Sequence, residues 1–229
     1  MINHLALIMD GNRRWATLNS FAVWRGHQEG AKGVEMAIKY CLERGIPYLS
    51  LYTFSLENFN RSGEEKNQLF ELVVDGITKR AQEFIARGIS VRFVGDRSQF
   101  PVVVIPAVEQ VEQATASLTT LVLNILFCYG GRQEIVTATK KLVTKVQENI
   151  LTVDAITQET FKQELWTGNI PDPEIIVRTG GFKRLSNFLL YQAAYSDFFF
   201  LDVLWPDLTE QHLDKVLTEF KQCKRNFGA

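Results

Sequence analysis

Cysteine is scarce in this chain, and Cys41, Cys128 and Cys223 are odd in number, far apart and without metal-type spacing. That pattern argues against a disulfide framework and suits reduced thiols in the cytoplasm. An excess of one charge sign is missing as well. With 25 Lys and Arg against 26 Asp and Glu, the formal net charge is −1, so no overall basic footprint marks a nucleic-acid binder. No apolar run approaches the ~18–20 residues of a membrane span. The first residues lack a basic stretch followed by a long apolar one, so a soluble chain without a targeting segment is expected. Internal repeats, low-complexity tracts and interdomain linkers are absent, and no G-x-G-x-x-G follows the first strand-like run, which disfavours a dinucleotide-binding domain.

What remains is a chain of 229 residues, 46% hydrophobic, able to bury a full core as one domain over residues 1–229. Strand-like and helix-like segments alternate along it. His4–Ile8, Tyr48–Phe54, Ser90–Val94, Leu121–Phe127, Glu174–Val177 and Phe198–Leu201 read as strands, the fourth continuous enough to be buried on both faces. Helical spacing marks Glu29–Glu43, Gly63–Arg87, Pro101–Ala116, Arg132–Glu148, Gln158–Leu165 and Thr209–Phe227. This alternation predicts an α/β domain with a mostly parallel central sheet of about six strands and helices on both faces.

In such a sheet every strand's carboxyl end lies on one edge, and ligands bind there. Met9-Asp10-Gly11-Asn12-Arg13-Arg14-Trp15 follows the first strand. Asp10 can hold Mg²⁺ against phosphate, Arg14 can grip phosphate oxygens in a planar fork, and Trp15 offers an apolar face to whatever the phosphate carries. A capped turn, with Asp10 or Asn12 satisfying a helix N-terminus, is the plainer reading of the same residues. Ser55 to Arg61 follows the second strand, Tyr129-Gly130-Gly131-Arg132 the fourth, and Arg178 to Asn187 the fifth, while His27 reads as sitting just before a helix. One rim therefore gathers Arg14, Arg61, Arg178 and Arg184 among glycines, hydroxyls and amides, a composition suited to cradling two diphosphates. Thr53, Phe54, Phe70, Val73, Val74, Leu121 and Leu123 are candidates to line an apolar tunnel beneath that rim.

At these residues the chain resembles the cis-prenyltransferases, the family of undecaprenyl diphosphate synthases. The resemblance is carried by His4 to Trp15, Gly26-His27, Leu51 to Arg61, Gly95-Asp96, Leu123 to Ile135, Arg178 to Ser196 and Asp202 to Pro206. It implies a Mg²⁺-dependent homodimer that joins isopentenyl diphosphate to an allylic diphosphate such as farnesyl diphosphate, making a carrier lipid of about undecaprenyl length. It also implies a cytoplasmic enzyme touching the membrane peripherally for product release. Carried over residue by residue, Asp10 is the essential metal and diphosphate residue, with Asp197 as a further metal ligand. Gly11, Asn12, Arg13, Arg14 and His27 contact the allylic diphosphate, with Trp15 nearby. Ser55, Leu56, Glu57, Asn58, Phe59 and Arg61 form the catalytic segment, in which Asn58 is the proton acceptor. Arg178, Arg184, Leu185 and Ser186 bind isopentenyl diphosphate. On the tunnel reading of the second and fourth strands, Thr53 and Leu121 are expected to set product length.

The chemistry behind these roles is general. Breaking an allylic C–O bond leaves negative charge on diphosphate, which a cation and fixed donors stabilise. The second diphosphate must stay intact and be oriented by arginines, and the growing hydrocarbon needs a dry tunnel. The chain departs from the family pattern at Phe182, where Glu is usual, at Asp197 for Glu, at Phe59 for Trp, at Arg13 for Gly, and at Val23, for which Arg25 compensates. Two other readings stay open: a shorter-chain or irregular isoprenyl diphosphate synthase, kept open by Phe182, and a non-catalytic partner subunit, disfavoured by the presence of Asp10, Asn58, Arg178 and Arg184. A helical trans-prenyltransferase is excluded by the strand alternation and the lack of an Asp-Asp pair.

Overall fold

Runs of alternating apolar residues ended by glycine or a polar turn become six strands, and the computed structural model describes residues 2–222. The strands are β1 (His4–Ile8), β2 (Tyr48–Ser55), β3 (Ile89–Val94), β4 (Leu121–Tyr129), β5 (Ile175–Arg178) and β6 (Asp197–Phe200). They pair in the order β3-β4-β2-β1-β5-β6, every pairing parallel. The helices are α1 (Asn12–Leu18), α2 (Val23–Arg44), α3 (Gly63–Ala86), α4 (Ile105–Thr115), α5 (Gly131–Gln147), α6 (Gln158–Glu164) and α7 (Glu210–Gln222). The expected helix to Phe227 is thus found to Gln222, its remainder and Cys223 lying outside the described residues. Among the described residues no helix is long and apolar enough to cross a membrane.

Period-two alternation divides the sheet between two cores. Leu5 and Leu7, Leu49 and Leu51, and Leu121, Leu123, Ile125 and Phe127 face one side, where Ile38 of α2, Phe70 and Ile77 of α3, Val108 of α4 and Leu213 of α7 cover them. Ala6, Ile8, Leu126 and Ile176 face the other side with Phe188 and Leu189. All nine residues of β4 are buried, as its unbroken apolar run predicts. The one polar member, Asn124, donates from Nδ2 to Ser50 Oγ at 3.1 Å. His4 completes that buried set, with Nδ1 2.6 Å from the Pro171 carbonyl and Nε2 2.7 Å from Ser50 Oγ. A carbonyl only accepts, so Nδ1 carries the proton and Nε2 accepts from the serine hydroxyl.

Two expectations are corrected here. α2 starts at Val23 rather than Glu29, which places His27 inside the helix and not before it. The reason lies in Gly26, which looks like a breaker but continues the bare helix face formed by Gly30 and Gly33. A Cβ on Gly26 would lie 2.1 Å from the Asn12 carbonyl oxygen, one on Gly30 2.4 Å from Asn12 Oδ1, and one on Gly33 2.9 Å from the Trp205 ring. Trp205 Nε1 donates to the Gly30 carbonyl at 2.7 Å, fixing the contact. The polar stretch after β1 also holds a helix, α1, entered through Gly11 at φ 120°.

The strand order creates the crevice. From β1 the chain moves to β2 on one side, whereas from β5 it moves to β6 on the other. The segments leaving the adjacent carboxyl ends of β1 and β5 therefore diverge, and a site opens between them.

Candidate active site

Asp10, two residues past β1, and Arg178, the last residue of β5, meet in that crevice. Arg178 Nη2 donates to Asp10 Oδ2 at 2.8 Å, and Arg14 Nη2, one turn along α1, donates to Asp10 Oδ1 at 3.3 Å. Thr179 ties the two loops together, its Oγ1 accepting from the Asp10 amide at 3.1 Å and donating to the Asp10 carbonyl at 2.7 Å. Arg178 is 5% exposed. Its Nη1 donates to Ser186 Oγ at 2.8 Å and to the Arg184 carbonyl, so the guanidinium is pinned against the loop expected to hold the second diphosphate.

A polar cavity of about 230 Å³ opens here, lined by Asp10, Asn12, His27, Ser55, Asn58, Arg61, Arg178 and Ser186 together with Thr53, Met9 and Leu69. Eight of the residues expected at the substrate site or in catalysis thus share one cavity. Arg178 Nε and Asn12 Oδ1 are buried without hydrogen-bond partners, and His27 Nε2 has only Glu65 Oε1, at 3.5 Å, beside it. Unpaired buried polar atoms cost about 1–3 kcal/mol each, and donors such as Arg178 Nε would be satisfied by the oxygens of a bound anion.

The segment expected to be catalytic forms a 3₁₀ turn over Leu56–Asn60, in which Asn58 Oδ1 accepts from the Ser55 amide at 3.2 Å. Phe59 packs edge-on against Phe54 at 5.1 Å and, with Leu56, anchors the turn to the core. Neither lines the polar cavity. Glu57 faces outward and accepts from Asn187 Nδ2 at 2.8 Å. Leu185 packs on the second core beside Phe188. Trp15 donates from Nε1 to Asp207 Oδ1 at 2.8 Å and lies 5.8 Å from the Phe21 ring. Gly11 is buried against Leu204.

Glu65 is a site residue that the sequence reading missed. From the first turn of α3 its Oε1 faces Arg61 at 3.1 Å, His27 at 3.5 Å and Arg13 at 3.9 Å. Ser62-x-x-Glu65 looks like an ordinary helix cap, and Ser62 does accept from the Glu65 amide. The carboxylate itself reaches instead into the arginine cluster. Burial, then the facing charge of Arg61, lowers the pKa of His27 from its ordinary value against the pull of Glu65, which favours the neutral imidazole.

Beneath the polar cavity lies an apolar one of about 170 Å³ between the sheet, α2 and α3, lined by Val34, Ile38, Leu51, Val73, Ile77 and Leu123 among others. Met9, Asn12, His27, Thr53 and Leu69 line both. Thr53 sits where the β2–β4 register breaks, and its Oγ1 donates to the Leu126 carbonyl at 2.9 Å. Such an irregularity re-aims a side chain. Leu121, two residues before Leu123 on the same face of β4, is fully buried and outside the cavity lining.

Asp197 is not brought to Asp10. It begins β6 and pairs with Ile175, while Arg178 pairs with Phe200, so it lies three residues, roughly 10 Å, back toward the amino edge of the sheet. Strand register thus sets it back from the carboxyl edge where Asp10 and Arg178 meet. Among the described residues no group of three or more His, Cys, Asp and Glu side chains could hold a metal by itself. Among the described residues, Asp10 is the one carboxylate lining the polar cavity. A single carboxylate with room for substrate phosphates fits Mg²⁺, which takes few protein ligands.

Residues 8–228 match the family model described as "Putative undecaprenyl diphosphate synthase". The chain is 43% identical to a tritrans,polycis-undecaprenyl-diphosphate synthase (geranylgeranyl-diphosphate specific) of Pyrococcus abyssi, over 98% of this chain and 86% of that one. It is 42% identical to an isoprenyl transferase of Bacillus subtilis over the same shares. The crystal structure of lavandulyl diphosphate synthase from Lavandula x intermedia in complex with dimethylallyl diphosphate superposes with a TM-score of 0.96 at 33% identity, over 100% of this chain and 98% of that one.

Proposed function

The chain belongs to the undecaprenyl diphosphate synthase family of prenyltransferases, and from there we propose that it is a Mg²⁺-dependent cis-prenyltransferase condensing isopentenyl diphosphate onto an allylic diphosphate, farnesyl diphosphate foremost, to give a chain of about undecaprenyl length. The observation that carries this reading is the pair of joined cavities, one polar and cationic with the unpaired buried donor Arg178 Nε, the other apolar. An amphiphile with a diphosphate head and a hydrocarbon tail fits both.

Asp10 would hold the metal against the allylic diphosphate, where a bound Mg²⁺ supplies charge to the departing oxygen. Arg14, His27 and Asn12 orient that diphosphate, so its C–O bond opens with the electron pair leaving on the oxygen. Arg178, Arg184 and Ser186 keep the second diphosphate intact and aim its double bond at the allylic carbon. A new C–C bond forms, and one proton is lost toward the Ser55–Asn58 turn, where Asn58 is the acceptor. Val73, Ile77 and Leu123 keep water from the tail.

Edge strand β6, on which Phe198 is exposed and stacks on Phe200 at 6.3 Å, supports a homodimer. The buried free thiols of Cys41 and Cys128 suit a cytoplasmic enzyme, with peripheral membrane contact where the product leaves. A second reading, a short or irregular coupling, is favoured by the close superposition on the lavandulyl enzyme and by Phe182 in place of a carboxylate. One incubation separates them: purified protein, Mg²⁺ and labelled isopentenyl diphosphate with dimethylallyl, geranyl, farnesyl or geranylgeranyl diphosphate, followed by product sizing. Long cis products are expected from farnesyl diphosphate. Products confined to one or two isoprene additions would establish the second reading, and no product with any primer would defeat both.

A further inference from the structure

Two arginines from different halves of the site converge on one aromatic ring. Arg14 Cζ lies 4.6 Å and Arg184 Cζ 4.2 Å from the Phe182 ring centroid. Phe182 is held there by the turn before it. Gly180 and Gly181 both take left-handed backbone conformations, φ 84° and 75°, and their amides donate to the Val203 and Leu201 carbonyls at 2.8 Å each. The turn also makes room for Arg14, because a Cβ on Gly180 would sit 2.3 Å from Arg14 Nη2.

A carboxylate at position 182 would orient the same arginines by ion pairing and would cancel one positive charge. The ring orients them through its quadrupole and cancels nothing. Two guanidiniums on one ring repel each other, and the arrangement is relieved when a multiply charged oxyanion settles between them. We propose that Phe182 is a positioning residue that stacks Arg14 and Arg184 without neutralising either, so that the second diphosphate is captured by cations alone, before and without a metal. The inference rests on the assignment of Arg14 and Arg184 to neighbouring diphosphates made above. It fits the register that sets Asp197 level with Ile175, three residues back from Arg178.

Calorimetric titration with inorganic pyrophosphate in the presence of EDTA tests it in the full chain. Binding by the parent is expected, retained within about twofold by Phe182→Tyr and weakened about five- to tenfold by Phe182→Leu, which keeps bulk but loses the ring face. Phe182→Glu should weaken metal-free binding further by cancelling a cation. In turnover, Phe182→Leu should raise the KM for isopentenyl diphosphate while leaving kcat within about twofold, as expected when only binding is lost. Pyrophosphate binding by Phe182→Leu equal to the parent's, or metal-free binding improved by Phe182→Glu, would overturn the proposal. A parent that binds pyrophosphate yet transfers no prenyl group would instead overturn the functional reading, so the two failures are distinguishable.

Discussion

Arg178 Nη2 donates to Asp10 Oδ2 at 2.8 Å across the junction of β1 and β5, and the arginine is almost wholly buried while the aspartate is partly open to the cavity. The pair therefore has an inner member that is held and an outer member that can exchange partners. Asp10→Asn, which leaves an acceptor for Arg178, should fold with a melting temperature near the parent's and lose turnover by roughly 10² to 10³-fold. Asp10→Ala should lose as much activity and also about 1–3 kcal/mol of stability, because the buried Arg178 Nη2 then lacks its acceptor and its charge its partner. Urea melts and steady-state kinetics on both variants check this. Near-normal turnover in Asp10→Asn would remove Asp10 from the chemistry.

Chain length should respond to residues that line the apolar cavity and not to their buried neighbours. Leu123→Ala should lengthen the products by opening the floor, and Thr53→Leu should shorten them by filling the neck between the cavities. Leu121→Ala, outside the lining, should cost about 2–4 kcal/mol of stability with products unchanged. Thin-layer sizing of products alongside thermal melts separates these effects, and longer products from Leu121→Ala would show that the tunnel reaches deeper than Leu123.

The bare glycine face of α2 should be intolerant of a single methyl. In Gly30→Ala the new Cβ would press on Asn12 Oδ1 and on the Trp205 ring, so a loss of about 1–3 kcal/mol is expected from overpacking. A raised KM for the allylic substrate should accompany it, since Asn12 lines the polar cavity. A variant as stable as the parent would mean that α1 can move away freely.

Acid should weaken the fold through His4. Burial lowers its pKa from 6.5 to about 4, so between those values the unfolded chain binds a proton that the folded chain refuses. The stabilisation is fully present above pH 6.5 and is lost as pH falls through the folded value, amounting to about 3 kcal/mol in all. His4→Gln should show a shallower loss of stability than the parent between pH 7 and 4.5. Parallel slopes in urea melts across that range would assign the acid sensitivity elsewhere.

The sheet was legible because its strands are short apolar runs closed by glycine or polar turns, and β4 announced its burial by carrying one polar residue in nine. The rim was legible for the same reason, since parallel strands force their following segments to one edge. What could not be read depended on contacts distant in sequence. Gly26 looks like a loop residue until the Asn12 carbonyl and Ala16 of α1 are seen packed against it, with Trp205, more than 170 positions away, filling the space beside Gly30 and Gly33. Asp197 looks like a neighbour of Asp10 until the register with Ile175 fixes which end of β6 it occupies. Glu65 is hidden by a capping pattern that it also satisfies, and the stacking of Arg14 and Arg184 on Phe182 is invisible without the turn at Gly180.

The central place of β1 bears on how the molecule comes into being. Its first neighbour, β2, arrives within about fifty residues, but its second, β5, enters only after residue 174. Closing so long a loop is slow relative to local pairing, so a chain emerging from the ribosome would carry Asp10 just past the end of a half-covered strand for most of its synthesis. Substrate recognition is then a late event in folding, and both diphosphates can stabilise the docking of β5 by binding the assembled crevice alone. Pulse-labelling hydrogen exchange should show the amides of Leu7 and Ile8 gaining protection in the same phase as Ile176 and Val177, and later than Leu49 and Leu51; earlier protection of β5 would reverse that order.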